Sequence, residues 1–458
     1  MKLLIYILNL AGALCLITAC VSCEKMIETD LPQNQIDTED VFNDVQTANA
    51  ALSALYAGLF DNSPVSGDQS GRLLGMYTDD LTYHTTATNN GFPEIFNNTL
   101  IDSSIPVNSF WTAAYQKIYY ANSILEGVEN SAAIAEKDKV RIKAEALTIR
   151  SLLFFYLQQI YGDIPYPVTT NYSVNQTISK TASDEVLDRL EMDLSEAVLT
   201  LNDSYRNAER IFVNKKTAEL ILAKVYMHRK KYMHAEVLLK DILQSPLYTF
   251  QNDITKVFQK SGTHILWQLK PKNSGDATKE ASIYYFVNAA PTAFSLTPSL
   301  VGSFASGDLR KQNWMAAVTV GGNTWYRAEK YKLRSANTLE YSVVFRLEEV
   351  YLLLAESLAQ QNNVVDAVPF VNKTRQRAGL PTLSSGIGKD LLLAEILNEN
   401  RREFFTEMGH RFLDLKRNDR LSVLTASKPN WKEFHRAWPI PQKELLLNSN
   451  LNPQNTGY

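Results

Sequence analysis

Residues 217–246 read TAELILAKVYMHRKKYMHAEVLLKDILQSP, and residues 347–379 read LEEVYLLLAESLAQQNNVVDAVPFVNKTRQRAG. Set side by side at an offset of 132 residues, the two stretches share one pattern. Leu222, Ala223, Tyr226, Tyr232, Ala235, Leu239 and Ile242 stand against Leu354, Ala355, Leu358, Val364, Ala367, Val371 and Thr374. Apolar residues recur at three- and four-residue steps, the signature of an amphipathic helix. The small alanines let two antiparallel helices approach closely, and the large residues fill the gaps between them. This alternation follows the tetratricopeptide pattern, down to Pro246 behind the first copy. The two stretches therefore predict two helical hairpins of one repeat.

Helical periodicity extends outward from this pair. It predicts helices over 41–60, 110–128, 137–161, 183–201 and 387–408. Ser183 opens the fourth as an N-cap in SDEV, and YGDIPYP (161–167) ends the third through Gly162 and its prolines. Two long segments break the rhythm. Residues 61–106, rich in Gly, Asn, Ser, Thr and Asp, read as loops. Residues 247–340 read as loops with short β-runs such as THILWQLK (263–270), after which helix resumes at 341. The C-terminus reads as an extended tail with one short helical turn. The predicted class is mainly α, a tetratricopeptide-like helical-repeat scaffold with large loop-rich insertions that contain short β-strands.

The front of the chain carries a different message. Lys2 precedes an apolar run from Leu3 to Ile17, and small residues follow, which is the layout of a secretory signal peptide. All three cysteines lie here: Cys15, Cys20 and Cys23. Ile17-Thr18-Ala19-Cys20 resembles the lipobox of bacterial lipoproteins, whose cysteine is acylated. Cys20-Val21-Ser22-Cys23 fits less well in spacing, but a charged, Pro-containing stretch begins directly after Cys23. Both cysteines stay open on this reading. With no thiol after Cys23, the exported chain has no intramolecular disulfide to rely on, so stability must come from core burial. The formal net charge of -3 gives no electrostatic case for nucleic acid.

No catalytic constellation stands out. The chain has no G-x-S-x-G, no H-E-x-x-H and no P-loop. His228 and His234 are six residues apart and do not share a helix face as a metal pair would. The expectation is a non-enzyme without cofactor or metal. Binding has more to work with, since sugars need flat aromatic faces for their apolar sides and polar groups for their hydroxyls. The two insertions supply that mixture. The candidate ligand-binding residues are Tyr83, Asn89, Phe92, Phe96, Tyr284, Tyr285, Trp314, Trp325 and Tyr326. Each aromatic has a competing reading as core, weighted most towards core for Trp314. Trp111, Trp267 and Trp438 read as core.

Several stretches together resemble the SusD/RagB family of Bacteroidetes surface lipoproteins. AEALTIRSLLFFYLQQIYGDIPYP is similar to the family's long helix and its YGD-x-P turn. VVFRLEEVYLLLAESLAQ with VNKTRQRAGLP, ILNENRREFFTEMGHRFLDLKR and the closing PIPQKELLLNSNLNPQNTGY complete the likeness. The resemblance implies a lipidated cysteine followed by sequence like CEKMIETDLPQNQI, which favours Cys23 with Cys20 as the alternative. It implies a surface-exposed outer-membrane lipoprotein that covers a SusC-like TonB-dependent transporter. Such a protein captures nutrient, usually an oligosaccharide and in some branches peptide, and passes it on. A helical scaffold that only binds proteins is the contrasting expectation. The domain plan is a signal peptide over 1–22, a lipidated tether over 23–40 and a single domain over 41–458. Within that domain, repeats occupy about 107–246 and 341–408, and the ligand-side insertions are about 61–106 and 247–340.

Overall fold

The computed structural model describes Met1 and residues 41–85 and 89–458. The expectations for the signal peptide, the lipidated cysteine and the tether lie outside the described residues. In chain order the elements are α1 (Val45–Asp61), α2 (Ser70–Tyr77), β1 (Leu81–Tyr83), α3 (Phe92–Asn97), α4 (Ile105–Asn130), α5 (Glu136–Tyr161), α6 (Tyr172–Asn175), α7 (Ser183–Thr200), α8 (Lys215–His228) and α9 (Tyr232–Gln244). There follow β2 (Ile265–Leu269), α10 (Lys279–Ile283), β3 (Phe294–Leu296), α11 (Pro298–Gly302), α12 (Leu309–Trp314), β4 (Met315–Val320), β5 (Asn323–Ala328) and β6 (Ser342–Arg346). The chain then runs through α13 (Leu347–Gln360), α14 (Val364–Arg377), α15 (Lys389–Phe404), α16 (His410–Arg417) and α17 (Gln442–Leu447).

The repeat is α8–α9 and α13–α14. All four key alanines, Ala223, Ala235, Ala355 and Ala367, are fully buried, as close helix approach demands. Even the turns match, because Lys230 and Asn362 occupy the same register position and both take the left-handed conformation. The hairpins lean on each other through α9 and α13. Ser357 Oγ donates to the Tyr232 carbonyl at 2.8 Å, and Lys224 pairs with Glu349 in the interior.

Helix α5 is buried on every side from Ala144 to Tyr161 and lies between α4 and α7. A helix so placed must satisfy its polar residues internally. Glu145 accepts from Tyr56 Oη at 3.0 Å and from Arg141 at 2.8 Å, while Arg150 reaches Asn122 and Asp193, each at 2.9 Å. Gly162, with φ of 79°, ends α5 where the sequence places the stop. Ser183 does not cap α7; Ala182 holds that position. The Ser183 hydroxyl instead accepts from Gln158 at 2.6 Å, because α5 runs directly beside it.

Two other expectations need correction. Residues 61–106 are not simply loop, since they hold α2, β1 and α3. Helix α2 is only eight residues long and buried along almost its whole length, and Gly71 and Gly75 disguise it as loop. Residues 342–346 form a strand rather than the start of a helix. SVVFR pairs antiparallel with ILWQL of β2, and every residue of both strands is buried. Continuous burial removes the alternation that marks a half-exposed strand.

A buried ionic cluster fastens α12, β6, α14 and α15 together. Arg346 donates to Glu403 at 2.6 Å and to Glu407 at 3.0 Å. Arg377 bridges Glu348 and Glu403, and Lys330 reaches Glu407. Arg310 meets Glu399 at 2.7 Å and Asp308 at 2.9 Å. Such a cluster specifies one arrangement because any shift strands a charge in the interior.

Candidate functional site

The second, four-stranded sheet has the order β1-β3-β5-β4 and is antiparallel throughout. It joins the two insertions, since β1 comes from the first and the other strands from the second. The β4–β5 hairpin turns through Gly321 and Gly322, both at positive φ, as a two-residue hairpin loop of the primed type requires. Register fixes which side chains share a face. Tyr83 pairs with Phe294, and Leu296 pairs with both Leu81 and Tyr326, so these five line one face. Thr82, Ser295, Trp325 and Arg327 line the other.

The first face carries an aromatic cluster. Tyr83, Phe92 and Phe294 sit within 6.1 Å of one another, centroid to centroid. Asn90 Nδ2 donates to Tyr83 Oη at 2.8 Å, and its Oδ1 accepts from the Phe92 amide at 3.0 Å. Arg72 of α2 lies over the Phe92 ring at 4.8 Å and 6.0 Å from Phe294. Asn89 is exposed, and Tyr83, Phe92 and Tyr326 are half-buried. Lys311 lies 5.6 Å from the Tyr326 ring.

The opposite face is more polar. His84 Nε2 lies 2.7 Å from Ser295 Oγ. Arg327 donates to the Phe286 carbonyl at 2.7 Å and sits 4.7 Å from the Tyr285 ring. Exposed Arg334 lies 3.3 Å from the same ring, so Tyr285 is flanked by two guanidinium groups. Trp325 is half-buried, and among the described residues no ring or cation packs against it.

Three candidates depart from the stacking role expected of them. Trp314 is 1% exposed, and its indole N–H donates to the Ile254 carbonyl at 3.0 Å, so it belongs to the core. Helix α12 turns it inward onto Phe258, 5.3 Å away. Tyr284 is 3% exposed and offers no ring face, and its hydroxyl is enclosed as well. Phe96 is half-buried under Lys428, whose Nζ lies 4.1 Å from its ring and donates to its carbonyl at 2.8 Å. The ammonium covers one face of this ring, as the Arg72 guanidinium does at Phe92, and its two backbone bonds tie Phe96 to the interior. Burial lowers the Lys428 pKa to about 8, with Asp79 and Asp80 opposing.

Sequence reading missed a recess of about 710 Å³ between α4, α6 and the C-terminal segment. Trp111, Tyr115, Tyr172 and Leu447 line it together with Asn175 and Asn448. Its amide donors are largely spent within the protein: Asn175 on the Thr169 carbonyl, Asn448 on Ile178, Asn450 on Thr177. What remains is an apolar hollow with a few polar atoms. Among the described residues no group of three His, Cys, Asp or Glu is arranged to hold a metal ion. Nor is any described helix long and apolar enough to cross a membrane.

Comparison with known proteins follows the same architecture. A family model described as SusD-like, "Starch-binding associating with outer membrane", matches residues 29–227, and one described as "SusD family" matches 278–458. The chain belongs to the SusD/RagB family. Membership places it at the outer membrane. SusD-like protein P25 of Formosa agariphila is 24% identical over 521 aligned residues, covering 97% of this chain and 98% of that one. A SusD superfamily protein from Bacteroides vulgatus superposes with a TM-score of 0.78 at 18% identity, covering 91% of this chain and all of that one. Surface glycan-binding protein A from Bacteroides thetaiotaomicron, solved with laminarihexaose, gives 0.75 at 17% identity, covering 90% and 99%. At these identities the superpositions establish the SusD fold and leave the ligand to be argued from this chain's own residues.

Proposed function

We propose that this SusD-family chain captures an oligosaccharide at the cell surface and delivers it to a SusC-like TonB-dependent transporter. It does so without cleaving the ligand. The observation that carries this reading is the sheet built from both insertions, which presents half-exposed rings beside unspent polar groups. On one face Tyr83 and Phe92 supply rings, with Asn89 and Tyr326 beside them; on the other, Trp325 supplies a ring, accompanied by Tyr285 and Arg334. Aromatic faces with such a polar surround suit the two-sided chemistry of a sugar ring. A protein of the same fold holding laminarihexaose supports the choice of glycan. A lipid on Cys23, or on Cys20 as the alternative, would tether the chain to the membrane. Because one acyl chain anchors only marginally, the several acyl chains of a bacterial lipoprotein suit the task.

An oligopeptide ligand for the same transport role is the second reading. Residues 24–458 are titrated with glycan and oligopeptide panels by calorimetry, and the ligand is recovered afterwards. Saturable binding to one glycan class is expected, with the ligand recovered intact. Trp325→Ala weakens it by about tenfold or more, at the scale of one lost stacking contact in a shielded site. Trp314→Ala serves as the contrast: it lowers the melting temperature through a core cavity costing about 3–5 kcal/mol. Binding of peptides alone would promote the second reading. An unaltered affinity in Trp325→Ala would remove the Trp325 face of the sheet from the site and leave the Tyr83–Phe92 face, whose counterpart test is Tyr83→Ala.

A further inference from the structure

Arg72 stands out by what it lacks. Its guanidinium is half-buried, yet it makes no hydrogen bond or ion pair with any described residue, and its Nε is fully enclosed. Almost every other interior arginine here is matched: Arg310, Arg346, Arg377, Arg401 and Arg417 each meet carboxylates. A second orphan lies beside it. Tyr284 is 3% exposed, and its buried hydroxyl has no hydrogen-bond partner. The two groups meet at the Phe294 ring, 6.0 Å and 6.4 Å from its centroid. Both border the Tyr83–Phe92–Phe294 cluster, Arg72 at 4.8 Å from Phe92 and Tyr284 at 6.4 Å from Phe294.

The acids nearby are already engaged. Asp68 is taken by Ser66 and by Lys279 at 3.2 Å. Asp80 accepts from Arg401 Nε at 2.9 Å. Glu280 accepts from Ser342 at 2.8 Å, and burial pushes its pKa up to about 7, so it carries only part of a charge at neutral pH. The positive charge of Arg72 is therefore left without a partner of its own. An unpaired, half-buried guanidinium and a buried hydroxyl with no acceptor are each costly, and together they describe half of an oxyanion site.

We infer that Arg72 and Tyr284 receive an oxyanion carried by the ligand, which makes the preferred substrate an acidic glycan bearing carboxylate or sulfate groups. The inference rests on the glycan reading above and narrows it. A planar guanidinium stacked on Phe92 holds its donors in a fixed fork, suited to the two oxygens of a carboxylate or of a sulfate ester. The Tyr284 hydroxyl adds one neutral donor. The neighbouring rings take the apolar face of the same sugar.

The test uses residues 24–458 and matched oligosaccharides of equal length: neutral, uronate-containing and sulfated. The wild-type chain is expected to bind one acidic series at least about tenfold more tightly than the neutral one, with the gap narrowing as salt is raised. Arg72→Gln abolishes the gap, Arg72→Lys retains part of it, and Tyr284→Phe reduces it by about threefold to tenfold. The uronate and sulfate arms identify which oxyanion is read. Tight binding of neutral glycans with no acidic preference overturns this inference and leaves the capture function standing. A preference that survives in folded Arg72→Gln also overturns it. Failure of every glycan, with peptides bound, overturns the inference and the glycan reading together. Should Arg72→Gln not fold, the wild-type comparison of neutral and acidic ligands still decides.

Discussion

Glu403 shows how tightly individual side chains are committed. It is fully buried and bonded to Arg346 and Arg377, with Arg310 at 3.2 Å. Burial alone would raise its pKa, but Arg377, Arg346 and Arg310 outweigh burial and hold it below the usual carboxylate range. Glu399 and Glu407 are held down likewise against burial, chiefly by Arg310 and by Arg346 respectively. A carboxylate with a depressed folded pKa contributes stability that is complete above its unfolded pKa of about 4.3 and is lost as pH falls through the folded value. The melting temperature should therefore drop steeply below about pH 4. Glu403→Gln, which takes one buried carboxylate away from three guanidinium groups, should cost about 3–5 kcal/mol at neutral pH and flatten that acid limb. Thermal melts from pH 7 to pH 3 on both proteins check this. None of this cluster was legible as a cluster in the sequence, because its members come from five elements and the segments between them. Trp314 and Tyr284 do not offer the ring faces that a stacking role needs, for a related reason. Composition places an aromatic in a polar stretch, but only the fold decides whether the ring points outward.

At the scale of elements, the repeat was the most legible feature, since close helix packing writes its alanine spacing directly into the sequence. Helix α2 was the least legible. A Cβ on its Gly71 would stand 2.2 Å from the Thr406 carbonyl oxygen, in the turn between α15 and α16. That turn cannot yield easily, because Thr406 and Met408 already take positive φ and Glu407 is held by Arg346 and Lys330. Gly71→Ala should thus destabilise the protein by about 2 kcal/mol or more, although alanine ordinarily favours helix. Denaturant unfolding measures it, and a neutral or stabilising result would mean that α2 is not seated on the turn. Because α2 carries Arg72, the same variant should also weaken ligand binding.

At the scale of the molecule, one hydrophobic core runs from Phe42 to Ile440 and takes in both repeat hairpins and both insertions. The family resemblance and the fold class were readable from the sequence because their motifs lie on scaffold helices. The candidate site was only half readable, since its faces arise from strand pairing between segments some 210 residues apart, as in the His84–Ser295 contact. Anchoring is tested on the whole chain: Cys23→Ser should lose acylation and membrane association, whereas Cys20→Ser should keep both. Metabolic labelling with a radioactive fatty acid distinguishes them, and labelling that depends on Cys20 would reverse the assignment. The ion pairs beneath the site have a further bearing, on timing. Asp79 is held by Arg411, Asp80 by Arg401, and the Tyr77 hydroxyl by the His435 carbonyl, so α2 and β1 find their partners more than three hundred positions later. Closing loops of that length is slow, so these ties form late. An outer-membrane protein has to be threaded through a secretion channel before it folds. The contacts that Arg401, Arg411 and His435 make with Tyr77, Asp79 and Asp80 can form only when nearly the whole chain has crossed.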